Sequence, residues 1–461
     1  MLLLGLGKLL ALSTNIDQPN QVLPRDVDTL ISRLISEPRT QAYVCCPKCF
    51  SLYTYDPDKP VSLPEKCYFK RTATSDSCGT HLVSKKPKSK KSQPVRLFLY
   101  HEFQDWIAGL YARPDIEDLL DKDILKSHEG EETWDVHDSP ELRQFLGPEN
   151  DPQRPFLRRP GNEGRLVFSL NMDGFNPLMN KESGKKISVG AIYLVCLNLP
   201  PAIRYDIENV FLVGVIPGPH EPSKEEINHV LRPLVDDLLI LWSHGYFLTS
   251  TTKYPHGRLI RGAVIPLICD LPAARQMSGF SSHNSRNFCS FCALTLDDID
   301  DFDYQHWPSR SLAEHQRLAQ EWKDATSERD RDKLYEENGV RWSELLRLPY
   351  WDPTRFVMID SMHGFFLRMF QRHCRQIWGM SVDIEDSDYP SLSQDKNRPT
   401  EEAMEEAHKI LRWGGERALT SLKTPVLREL ARSTDCLPYG GRAKKLVKKL
   451  LAYVCVDRQR C

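Results

Sequence analysis

From Arg165 the chain carries long apolar runs broken by Gly, Pro and Asn: RLVFSLNMD, ISVGAIYLVCLNL, NVFLVGVIPG and LIRGAVIPLICD. Their Val, Ile and Leu content and turn-forming boundaries predict four strands. Between the third and fourth, SKEEINHVLRPLVDDLLILWSHG has Ser223 as N-cap, acidic residues in its first turn and apolar spacing that predicts a helix. After the fourth strand, PAARQMSGF predicts a second helix with Pro at its first position.

The order strand, strand, strand, helix, strand, helix is that of an α/β, RNase H-like core. In such a core the first and fourth strands lie side by side and bring their carboxylates together. Residues 161–280 are assigned to its first part. A polar, charged stretch over 281–350, with a helix predicted in SLAEHQRLAQEWKDATSERDRDKLYEENG, reads as an insertion. RFVMIDSMHGFFLRMFQRHCRQIW, within 351–382, reads as a return to the core.

Upstream, residues 1–42 predict a helical stretch with Asp26 as an N-cap, and 43–82 form a cysteine-rich module. A basic linker at 83–96 follows. Residues 97–125 have apolar positions three and four apart, the helical period, and the Pro/Gly/Asn-rich GPENDPQRPFLRRPGNEG ends a region of helix and linker over 97–160. An acidic linker and helix occupy 383–414. At 415–461, two Leu-rich helical repeats flank a Gly-Gly turn, a layout similar to a small SAP-like helical module that binds DNA.

The chain has 461 residues, 40% of them hydrophobic and 27% charged, with a formal net charge of −2. That length suits two or three domains, and the near-neutral balance leaves nucleic-acid contact to local patches. One is the run of Lys85, Lys86, Lys88, Lys90 and Lys91, which reads as nuclear targeting, DNA-backbone contact or a solvated linker. Another is Arg442, Lys444, Lys445, Lys448 and Lys449, placed to meet backbone phosphates without reading sequence, or else to solvate a helical hairpin. The opening MLLLGLGKLLALS lacks a basic leader and is too short to span a bilayer, so it reads as an amphipathic helix or the stump of a longer upstream region, and the chain as having no membrane partner.

Thirteen cysteines, two pairs of them spaced Cys-x-x-Cys, favour metal ligation over a disulfide framework. Cys46, Cys49, Cys67 and Cys78 supply four thiolates for a structural Zn²⁺, with Cys45 or His81 as substitutes for one of them. Cys289 and Cys292 make a second pair, for which His283 and His306 are the nearest further ligands; the alternative is two small buried residues. Asp173 ends the first strand and Asp270 the fourth. Such carboxylates are hard ligands for Mg²⁺ or Mn²⁺, although each also suits a turn or a helix cap. Asp360 and His363, one helical turn apart, can face the same side.

Read together, FSLNMDGFNPL, ENVFLVGVIPGPHEPS, LRPLVDDLLILW, VIPLICDLPAARQMSGFSSH and FCSFC resemble CACTA (En/Spm-type) DNA transposases of the form abundant in basidiomycete fungi. The resemblance runs from about Tyr43 to His363. It implies metal-dependent cleavage and strand transfer of DNA at element ends, in the nucleus, by a homo-oligomer. Asp173 and Asp270 match the first two acids of the DDE/D triad, and Asp360 with His363 matches the Asp-x-x-His signature. Gly364 departs from the Asn of that signature. The block carrying the third acid in that family has no counterpart here, so a truncated or degenerate copy is expected, with Glu401, Glu402, Glu405 and Glu406 as substitutes that nothing in the sequence ranks. The alternative is a catalytically silent DNA-binding protein derived from a transposase.

Overall fold

The computed structural model describes residues 39–56, 63–85, 92–122, 124, 135–176, 188–380, 399–413, 415–434, 446–448 and 450–451. The chain divides into two compact units, one of Met1–Phe69, Cys78–Glu221 and His229–Val264, the other of Lys70–Ser77, Pro222–Asn228 and Ile265–Cys461. Among the described residues no helix is long and apolar enough to cross a membrane.

The first unit is built on strands β1 (Thr40–Cys45), β2 (Leu52–Thr54), β3 (Val83–Lys85), β4 (Ser92–Pro94), β5 (Leu97–His101), β6 (Gly164–Phe175), β7 (Val189–Cys196), β8 (Val210–Ile216), β9 (Tyr246–Leu248) and the first residues of β10 (Arg258–Cys269). Outside the small β3–β4 hairpin they pair in the order β10–β6–β7–β8–β5–β1–β2, with β9 also on β10. The four strands expected from the apolar runs are β6, β7, β8 and β10. Residues Gly164–Asn171 of β6 are buried without alternation, as in a strand covered on both faces. One cover is the helix Phe103–Tyr111, whose Phe103 stacks on Phe211 of β8 at 4.6 Å and meets Phe168 of β6 edge-on at 5.4 Å. β7 lies antiparallel beside β6 and β8 antiparallel beside β7, in the registers Asp173↔Ala191 and Ala191↔Val215.

Leu97–His101 is a strand, not the start of a helix. Its side chains alternate between solvent and core, with Phe98 and Tyr100 inward, and its backbone pairs with β1 on one side and β8 on the other. The consecutive apolar residues of LFLY fit both periods, and the sheet's open edge decides between them. Gly214 permits the close approach here: a Cβ at that position would lie 2.7 Å from the Leu99 carbonyl oxygen and from the Phe98 ring. Helix begins only at Phe103 and resumes at Pro114–Leu120. Because β1 and β2 continue this sheet, the cysteine module is built onto the unit through β5.

A buried ion network ties the helix Pro114–Leu120 to β10. Arg258 and Glu117, both shielded from solvent, meet at 3.0 Å, and Arg258 also reaches Asp121 at 3.0 Å. Glu117 accepts further hydrogen bonds from the Thr251 hydroxyl and the Lys253 amide. Removing one partner of such a pair strands a buried charge, so Glu117→Ala is expected to cost about 3 kcal/mol in denaturant unfolding, with Asp121 retaining part of the pairing. A change below about 1 kcal/mol would show that the network contributes no net stability.

In the second unit the end of β10 pairs in parallel with β11 (Val357–Ile359), register Leu267↔Val357 to Cys269↔Ile359. The buried Trp351 donates its indole N–H to the Ile265 carbonyl at 3.1 Å and seats the segment leading into β11. Residues 281–350 hold helices Leu312–Asp324 and Glu328–Asn338, each N-capped by a serine. After β11 a helix of wide turns, Met362–Phe370, leaves Phe365, Phe366 and Phe370 largely exposed. The C-terminal helices Glu401–Trp413, Gly415–Thr420 and Thr424–Ser433 share a core of Ala407, Leu411, Leu419, Leu427 and Leu430 with Leu446, Val447 and Leu450. Glu401–Trp413 therefore belongs with the C-terminal helices rather than with the preceding linker.

Candidate functional site

The Cys46 group is the best-formed constellation in the first unit. β1 delivers Cys46 to a tight knuckle closed by Phe50 N–H to the Cys46 carbonyl at 3.1 Å and Cys46 N–H to the Ser51 carbonyl at 3.0 Å. A second loop brings Cys67 and Cys78 opposite, through Cys67 N–H to the Thr80 carbonyl and Gly79 N–H to the Cys67 carbonyl. The four sulfurs all lie within 4.8 Å of one another, with Cys46 to Cys78 at 3.7 Å and Cys49 to Cys67 at 3.5 Å. Zn–S bonds of about 2.3 Å put the corners of a tetrahedron about 3.8 Å apart, so the spacing fits zinc. Cys45 and His81 lie outside the group.

Four thiols this close cannot all ionise without a cation. Cys46 is drawn down to about 4 by a hydrogen bond from Cys49, against the opposing effect of burial. Cys49, the partner that keeps the proton, is pushed well above the ordinary thiol value. Zn²⁺ bound here supplies the charge that holds all four as thiolates, and so a structural link rather than a reaction. Residues without a signature of their own support the sulfurs: Tyr53 donates its hydroxyl to Cys67 at 3.2 Å, and Ser51 and Thr80 lie 3.3 Å from Cys49 and 3.2 Å from Cys78. Polar residues around a metal site carry no spacing signature, and folding alone brings them in.

The two aspartates of the apolar runs differ in setting. Asp173 lies inside β6, two residues before its end, with its side chain exposed. Glu221 stands over the neighbouring Gly174, its Oε1 3.0 Å from where a Cβ would sit, adding another carboxylate near the exposed end of β6. Asp270 follows β10 and caps the helix Leu271–Ser278, its Oδ1 accepting from Ala273 N–H at 2.8 Å. This is the capping role that its position allows, and it occupies one oxygen.

In the second unit the structure brings Asp270 and Asp360 to corresponding positions. Each follows directly on a strand of the parallel pair, and Asp360 N–H donates to the Cys269 carbonyl at 2.9 Å, extending the ladder by one residue. Asp360 Oδ2 and His363 Nδ1 are 2.5 Å apart, and Asp360 Oδ1 accepts from Met362 N–H at 3.0 Å. Partial burial alone would raise the Asp360 carboxyl, but the His363 and Met362 hydrogen bonds leave it below the usual carboxylate range.

Cys289 and Cys292 form a knuckle in which Cys292 N–H faces the Cys289 sulfur at 3.4 Å, but His283 and His306 do not close with them into a group like that of Cys46. His306 is exposed and bonded to Asp303 at 2.7 Å. Of the C-terminal basic residues, Lys448 is exposed on the last described helical turn, while Arg442, Lys444, Lys445 and Lys449 lie outside the described residues, as do Lys86, Lys88, Lys90 and Lys91. Glu401, Glu402, Glu405 and Glu406 are all exposed on the helix Glu401–Trp413.

No match was found among curated proteins. Residues 154–307 match the family model described as transposase family tnp2, a stretch that includes β6 to β10, Asp173, Asp270 and the Cys289–Cys292 knuckle.

Proposed function

We propose that the chain is a CACTA-type transposase, or a protein derived from one, that cuts and joins DNA at element ends with divalent metal. The observation that carries this reading is the tnp2 match lying over strands whose carboxyl-terminal portions hold Asp173 and Asp270. Counting β6, β7, β8, β10 and β11 as first to fifth, the second and third strands run on one side of the first, the fourth is its other neighbour, and the fifth pairs with the fourth. That order supports an RNase H-like core.

In this reading Asp173 and Asp270 hold Mg²⁺ or Mn²⁺. The donor set fits: both are hard oxygen ligands, Asp173 is exposed, and capping engages one oxygen of Asp270. Bound metal supplies charge stabilisation at the oxygens of an in-line phosphoryl transfer. One phosphodiester is hydrolysed to leave a 3′-hydroxyl, and that hydroxyl then displaces a 3′-oxygen in target DNA. Asp360 orients His363. The lysine run and the C-terminal helices hold DNA by its phosphates, the same lysines direct the protein to the nucleus, and pairing of two DNA ends calls for a homo-oligomer.

Retention of element-end duplex on the purified full chain, measured across a salt series with and without Mg²⁺ or Mn²⁺, tests the proposal. Affinity is expected to fall steeply with salt, and nicked product to form only with metal. Steep salt dependence with no nicking in either metal would replace it with the silent DNA-binding reading. No retention at low salt would remove both.

A further inference from the structure

We propose that Cys289, Cys292 and His315 bind a second structural zinc ion in the inserted region. The knuckle is already shaped for a metal-bound thiolate: Cys292 N–H points at the Cys289 sulfur, and Arg310 Nε donates to both the Cys289 and Cys292 carbonyls at 3.0 Å. Arg310 N–H to the Phe291 carbonyl and Ala293 N–H to the Pro308 carbonyl fix the loop against the following segment. That segment runs through Ser311, the N-cap of the helix Leu312–Asp324, to His315 in the helix's first turns.

His315 is 2% exposed, yet neither Nδ1 nor Nε2 has a hydrogen-bond partner. A buried imidazole with both nitrogens unsatisfied is costly unless something else binds it. Its ring packs on Phe280 at 4.7 Å, and the Arg310 guanidinium that clamps the cysteine knuckle lies over the same Phe280 ring at 5.5 Å. Phe280 and Arg310 thus link the buried histidine to the backbone of the knuckle, in which Cys292 is buried and Cys289 half-buried.

Two thiolates and an imidazole are a zinc donor set, with water or the exposed His283 in the fourth position. The donors are spread more widely than those of the Cys46 group, which all lie within 4.8 Å, so the ion closes this set by turning the imidazole toward the knuckle. The assignment does not depend on the strand-transfer reading.

Zinc analysis of the full chain tests it. Two zinc ions per chain are expected for the native protein and for His306→Ala, and one for His315→Ala. One zinc in the native protein, or two in His315→Ala, would overturn the assignment. As a control on folding, cobalt-loaded His315→Cys is expected to keep both ions and show stronger thiolate-to-cobalt charge-transfer absorption than native. An unchanged cobalt spectrum would also overturn it, since a histidine that only fills space leaves that band alone.

Discussion

Removing zinc with a strong chelator at neutral pH is expected to unfold the cysteine module and strip protection from β1 and β2. The module has little else to hold it: besides the cysteines, its buried core is Val44, Tyr53 and Leu82. Zinc-thiolate binding in small modules supplies about 10–16 kcal/mol of apparent folding free energy, far more than such a core provides. Cys49→Ser should act in the same way, because it removes a ligand and leaves Cys67 without its 3.5 Å neighbour. Since β1 pairs with both β2 and β5, the loss is expected to reach β5 but to spare the β6–β7 pairing, which hydrogen exchange resolves strand by strand. Acid should reproduce the effect, with zinc leaving as the thiolates protonate. Full protection of β1 after complete chelation would show that hydrophobic packing alone holds the module.

Asp270→Asn is expected to lower metal-dependent nicking at least about a thousandfold while leaving the fold intact, in line with the loss of several kcal/mol of charge stabilisation at the transition state. The substitution separates the two roles of this residue. Asn caps a helix about as well as Asp, so the bond to Ala273 N–H survives and only the charge that binds metal is lost. Asp270→Ala loses both, with about 1 kcal/mol of stability in addition. Equal stability of Asp270→Asn and native chain, alongside unequal nicking rates, is the pattern the assignment requires. Equal rates would reduce Asp270 to a cap.

Residues buried on both faces of a sheet were the most legible part of the chain, because the apolar runs LVF in β6 and AVIPLIC in β10 leave few other conformations. Leu97–His101 was misread as helix because the apolar run LFLY satisfies both periods, and only its pairing with β1 and β8 settles the matter. The helix Glu401–Trp413 was separated from its partners because its acidic face resembles the linker before it, while Ala407 and Leu411 enter the shared core. At the sites, Cys-x-x-Cys spacing revealed both knuckles. The later ligands of the first depended on two widely spaced cysteines that folding alone brings opposite. His315 gave no signal: a single histidine in an amphipathic helix looks like any other, and only its burial without a partner sets it apart. The acids after β10 and β11 were visible singly, but their matching positions on a parallel pair come from the register Cys269↔Ile359.

Single-turnover nicking of an element-end duplex by the purified chain in Mn²⁺, with Asp270→Cys measured in Mg²⁺ and in Mn²⁺, tests the central claim most directly. Cysteine is a poor ligand for Mg²⁺ and a better one for Mn²⁺. The account predicts nicking by the native chain, none by Asp270→Cys in Mg²⁺, and partial recovery in Mn²⁺. No nicking by the native chain in either metal, with DNA bound, would contradict it.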